Sequence, residues 1–184
     1  MHAYLVLLLT LSACTADSND TAPTDTAPDD TSPHVENGDV LALMAATEQI
    51  VWREWPDALL MYVAGENDLI SGSTSHEDFG SWYLIFCAND GSDGSVEIRW
   101  TAGDGFAGPT YDPDPFYSVR YEPIPRTLNL DGALALAEEA GMFHPFTYAT
   151  IGTPDSPALD ARYTLTHDSG RVFVDIATGA VSEE

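Results

Sequence analysis

Residues 81–102 read SWYLIFCANDGSDGSVEIRWTA. Two runs rich in β-branched and aromatic residues, 81–88 and 95–102, flank the polar stretch NDGSDG, which predicts two strands joined by a hairpin loop. In the second run Val96, Ile98 and Trp100 alternate with Glu97, Arg99 and Thr101, so one side of that strand is apolar and the other polar. The pattern calls for an antiparallel sheet with one covered face.

The covering elements are legible on either side. Residues 39–55, DVLALMAATEQIVWREW, carry apolar side chains at Val40, Leu43, Met44, Ile50, Val51 and Trp55. That is helical spacing, with Asp39 as N-cap and Pro56 as the stop. Thr47 interrupts the stripe one turn after Leu43 and Met44, where its methyl can still pack. LLMYVAG, 59–65, predicts a further strand. Downstream, LDGALALAEEAG (130–141) predicts a second helix, capped by Asp131 and ended by Gly141 in the left-handed conformation. Strands follow at 146–151, 161–167 and 171–176, the last two joined by an Asp168-Ser169-Gly170 turn. The order is helix then three strands, twice, without residue identity between the halves. The expected fold class is α+β: two helix-plus-three-strand units, with the helices on one face of an antiparallel sheet.

Residues 163–181, YTLTHDSGRVFVDIATGAV, follow a short Ala-rich helix and resemble the C-terminal half of a PepSY-like or cystatin-like unit. In those units the last strand carries a Val-Asp-Ala-x-Thr-Gly-x-Val ending. Here it is Val174-Asp175-Ile176-Ala177-Thr178-Gly179-Ala180-Val181, departing at Ile176. The resemblance implies a non-catalytic module outside the cytoplasm that binds or inhibits a protein partner such as a peptidase. The residues themselves predict a turn at Thr178-Gly179, closed by the Asp175 carboxylate.

The N-terminal part supplies an address. Residues 4–11, YLVLLLTL, are too few to span a membrane, which takes roughly 20 apolar residues. They suit the core of a secretory signal, and small residues, Ser12 and Ala13, follow. Leu11-Ser12-Ala13-Cys14 resembles the lipobox of bacterial lipoproteins. That resemblance implies cleavage between Ala13 and Cys14, a diacylglyceryl group on the Cys14 thiol, and acylation of the new amino terminus. Two or more chains anchor stably where one holds only marginally. Residues 15–37 contain DTAPTDTAPDDTSP, in which prolines and mutually repelling acids favour an extended tether. The expected division is 1–13 signal peptide, 14–37 lipidated cysteine and tether, and 38–184 a single α+β domain. Thr15 follows the cysteine where inner-membrane retention would use Asp, so the expected location is the outer membrane or cell surface. The membrane, reached through the lipid on Cys14, is the first expected partner.

The net charge is −24, from 30 acids against 6 basic residues, all arginine. Such a field repels nucleic acid, whose binding rests on Lys and Arg neutralising phosphates. Without lysine there is no lysine Schiff base, Walker lysine or Ser-Lys dyad. With Cys14 lipidated, Cys87 has no intrachain disulfide partner and reads as a small buried hydrophobe. His76-Glu77 lacks a second His four residues on, and His144 and His167 lie far apart, so spacing suggests no metal site and no cofactor. NDGSDG begins like a calcium loop, but Gly91 fails its third position and Trp100 its twelfth, and it reads as a turn. No Gly-x-Ser-x-Gly elbow occurs, and no catalytic residue can be chosen among the many acids; Glu138 and Glu139 read as a solvated helix face. Residues 108–125, GPTYDPDPFYSVRYEPIP, set Tyr111, Phe116, Tyr117 and Tyr121 among prolines and acids. They offer a surface for a protein partner, or else a crossover that packs its rings on the sheet. The expected function is a lipid-anchored, extracytoplasmic, non-catalytic binding module. The alternatives are a lipid-anchored hydrolase acting on glycan or peptide through carboxylates, and a calcium-dependent surface module.

Overall fold

The structure is a computed structural model that describes residues 35, 39–67, 75–88, 94–113, 122–142, 144–154 and 159–184. All of them belong to one compact unit, Ser32–Glu184. The expected signal peptide, the Cys14 lipid site and residues 89–93 of the NDGSDG loop lie outside the described residues.

The apolar stripe of α1, Val40–Val51, turns Val40, Leu43, Met44, Thr47 and Val51 inward. Asp39 caps the helix by accepting from the Leu41 N–H at 3.0 Å. Thr47 fills its place in the stripe: it is fully buried, and its hydroxyl donates to the Leu43 carbonyl at 2.6 Å. The regular helix stops before the expected Trp55. Ahead of Pro56 the helix tightens into a closing turn, in which Arg53 and Glu54 N–H donate to the Ile50 and Val51 carbonyls and Trp55 N–H donates to the Val51 carbonyl at 2.9 Å. The Trp52 indole N–H then donates to the Ala58 carbonyl at 2.9 Å and holds the turn into the sheet.

The first half of the sheet comprises β1 (Leu59–Glu66), β2 (Ser81–Cys87) and β3 (Ser95–Thr101), extended by two short strands on the far edge of β3, β4 (Gly105–Phe106) and β5 (Thr110–Asp112). After α2 (Leu130–Glu139) come β6 (Tyr148–Gly152), β7 (Arg162–His167), β8 (Gly170–Asp175) and a short β9 (Val181–Glu183). The order is β4-β3-β2-β1-β6-β7-β8-β9, and every pairing is antiparallel. β1 and β6 meet at the centre and join the two halves. The sheet does not close, and β4, β5 and β9 are additions to the six expected strands.

Both helices bury their apolar sides in one cluster with a single face of this sheet. One row of cross-strand neighbours runs Ile98, Leu84, Val63, Ile151, Tyr163, Val174 through every long strand. A second row carries Trp100, Trp82, Gly65, Ala149, Leu165 and Val172. Gly65 belongs there because the Trp82 indole lies on it: a Cβ would meet ring atoms at 2.6–2.8 Å. Cys87 alternates out of this core and is half-buried, a correction to its expected burial.

The cap of α2 is also corrected. Asn129, not Asp131, accepts from the Gly132 N–H, at 2.9 Å. Asp131 instead bonds the backbone N–H of His76 at 3.1 Å and its ring Nδ1 at 2.6 Å, tying the short 3-10 turn His76–Asp78 to the start of α2. His76 is therefore a paired residue, held by Asp131. Gly141 ends the helix at φ 80°, as its position predicts. No helix among the described residues is long and apolar enough to cross a membrane.

Candidate binding site

Strand alternation sends every second side chain away from the helices. Because both helices lie on one side, the other face of the sheet is left open among the described residues, and its side chains on β6 and β7 are half-buried. Half of the chain's cations, Arg99, Arg162 and Arg171, stand on strands with side chains off the core rows. Two of them stack on aromatic rings. Arg99 lies 4.5 Å from the centroid of Tyr83, its cross-strand neighbour, and Arg162 lies 4.0 Å from the centroid of Phe173.

The second half of this face is concave, with a volume of about 640 Å³. Gly152 stands opposite Tyr62, so the floor has no side chain there. The walls are Tyr62, Tyr148, Pro154, Arg162, Arg171, Phe173 and the acidic Glu184, and Thr150, Thr164 and Thr166 lie between them. The Tyr148 phenol is raised above its ordinary range, first by burial and then by its hydrogen bond to Tyr62 and the nearby Glu66 carboxylate. It stays protonated and is a donor. Burial lowers the Arg162 guanidinium from its ordinary range, and the neighbouring Glu184 partly offsets this. The Arg162 Nε is buried and has no hydrogen-bond partner. A planar cation held on a ring, with an unspent donor, suits a carboxylate or another planar acceptor.

A second concavity, about 350 Å³, lies on the helix side. Asp131, Glu138, Met142, His144 and Phe146 line it. Behind it His144 stacks on His167, with centroids 4.0 Å apart and planes 6° from parallel, and Glu183 stands beside both. The two histidines lie far apart in sequence, so spacing gave no sign of this meeting. Glu138 is exposed, as expected, yet faces this hollow.

Of the residues singled out in sequence, Tyr111 lies on β5 at the sheet edge, 40% exposed, with its hydroxyl over Gly94. Phe116, Tyr117 and Tyr121 lie outside the described residues, as do Ala13 and Cys14. The described end of that segment returns to the core, where Ile124 is buried. The open-face arginines and tyrosines were missed. The only signal for them was alternation, which marks a polar face without telling solvent from ligand. The chain matches no family model, no curated protein and no solved structure.

Proposed function

We propose that this chain is a lipid-anchored, extracytoplasmic binding module of PepSY-like or cystatin-like topology, without catalysis of its own. Cys14 carries the anchor at the outer membrane or cell surface, residues 15–37 hold the domain off the lipid, and a protein partner docks on the open face of the sheet. The observation that carries this reading is Arg162: its guanidinium rests on Phe173 in a 640 Å³ concavity, and its buried Nε lacks an acceptor. A buried donor without a partner costs about 1–3 kcal/mol, which a ligand acceptor would recover on binding. The acidic exterior speeds the approach of a basic partner at low salt, and Arg162 with Arg171 then receives one of its carboxylates. Tyr111, on β5 at the other edge of the sheet, forms a second contact.

Short peptides with free C-terminal carboxylates, titrated into the isotope-labelled full chain, should shift the Arg162 and Tyr148 resonances. The shifts should vanish in Arg162→Ala and persist, with weaker affinity for longer peptides, in Tyr111→Ala. Undisturbed open-face resonances throughout the series would refute the docking surface. The hydrolase reading has one observation in its favour: Asp131 and Glu138 line the second concavity, with His76 held against Asp131. Turnover of peptide or glycan that stops in a folded Asp131→Asn variant would put that reading in place of binding.

A further inference from the structure

We propose that His144, His167 and Glu183 form a binding site for one divalent transition-metal ion of the zinc class. Three separate parts of the second half supply the ligands. His167 ends β7 on the helix side, two residues beyond the buried Leu165. Glu183 comes from β9, which pairs with β8 so that Glu183 stands opposite Val172. His144 comes from the connection between α2 and β6. One ligand atom from each lies within 4.8 Å of the others.

The separations favour an ion over a hydrogen bond. His144 Nε2 is 3.5 Å and His167 Nε2 3.7 Å from Glu183 Oε1. Both are too long for a good hydrogen bond. They approach the edge of roughly 3.3 Å that follows from metal–ligand bonds of about 2.0–2.1 Å at tetrahedral angles.

His167 supplies the independent observation. Its side chain is only 4% exposed, and its Nε2 is buried with no hydrogen-bond partner while facing a carboxylate. Its Nδ1 lies 3.1 Å from the Ser169 hydroxyl. The Ser169 backbone N–H donates to the same Nδ1 at 3.4 Å, so in the metal-free protein the ring proton sits on Nε2 toward Glu183, and Nε2 gives it up to solvent when the ion binds. Phe146 packs edge-on against both imidazoles and fixes their surroundings. Two imidazoles and one carboxylate form a nitrogen–oxygen set suited to zinc and its first-row neighbours rather than to calcium or magnesium.

The stacked rings also show what binding must change. Parallel planes cannot both aim an in-plane lone pair at one ion, so one ring has to turn. His144, 34% exposed against 4% for His167, is the ring with room to do so. It also lines the 350 Å³ hollow, which leaves an open side for a water as fourth ligand.

Zinc chloride titrated calorimetrically into the metal-free full chain should give one saturable site, together with a rise in melting temperature. His144→Ala and Glu183→Gln alter side chains at the margin of the core and should leave the far-UV spectrum unchanged. Each should weaken that site by about tenfold or more, at least the lower end of the range seen when outer-shell support alone is lost. His76→Ala should leave it intact. Absence of a saturable site, or a site of undiminished affinity in both variants, overturns the proposal; the acids of residues 15–37 would then account for any residual uptake. Displacement of zinc by a modest excess of calcium overturns the transition-metal assignment.

Discussion

At the scale of single residues, the turn after β8 shows how one side chain organises a reversal. The Asp175 carboxylate accepts from both the Thr178 N–H and hydroxyl at 2.7 Å, and Gly179 takes φ 71°. The Thr178 hydrogen bonds hold the Asp175 carboxyl below the usual carboxylate range. A depressed folded value means that this contribution to stability is complete above the ordinary carboxylate range and lost as pH falls through the depressed value. Thr178→Val should move the Asp175 carboxyl titration, followed by carbon NMR, upward toward its ordinary midpoint; an unmoved midpoint would show that another group sets it. Elsewhere among the described residues, the three buried polar side-chain atoms without partners are Trp82 Nε1, Arg162 Nε and His167 Nε2. Two of these three belong to the sites proposed above.

At the scale of elements, β1 explains why its own sequence is the least regular strand pattern. The register with β2 shifts between Leu60 and Tyr62, so Leu60 and Val63 both reach the core although they are three residues apart. A bulge resets the alternation, and a period of two cannot be read through it. Helix α2 makes the complementary point. Asp131 and Asn129 both have the chemistry of a cap, but the chain enters α2 with Asn129 extended, at φ −89° and ψ 172°, while Asp131 is already helical. Asn129→Ala should therefore cost about 1 kcal/mol, read as a lower urea midpoint with an unchanged slope. An unchanged midpoint would mean that the His76–Asp131 tie, rather than the cap, holds that end.

At the scale of the molecule, two helices on a wide antiparallel sheet can cover only one face. The acidic charge spreads over a domain whose uncovered face gathers half of the few cations, each half of the sheet carrying an arginine on an aromatic ring. The proposed tether, by holding such a face away from lipid, would serve binding rather than embedding. Cys14→Ser should release the protein into the soluble envelope fraction or leave an uncleaved precursor, which fractionation and mass spectrometry of the N-terminus distinguish. A variant that matures normally and remains on the membrane would place the anchor elsewhere.

The amino-acid sequence by itself determined the α+β class, the order of the two helices and six longer strands, the hairpin after β7 and the Asp175–Thr178 turn, because each rests on local periodicity or on contacts a few residues apart. Alternation in Val96, Ile98 and Trp100 told which face of β3 is covered, since burial follows hydrophobicity with a period of two. Tertiary structure decided the rest. Only strand pairing could place β1 against β6, set Gly65 beneath Trp82 and hollow the sheet around Arg162. His144, His167 and Glu183 share no local pattern, and they meet only because β9 folds back on β8 and the α2–β6 connection passes over the end of β7. Such a cluster depends on long-range register, which no local period encodes.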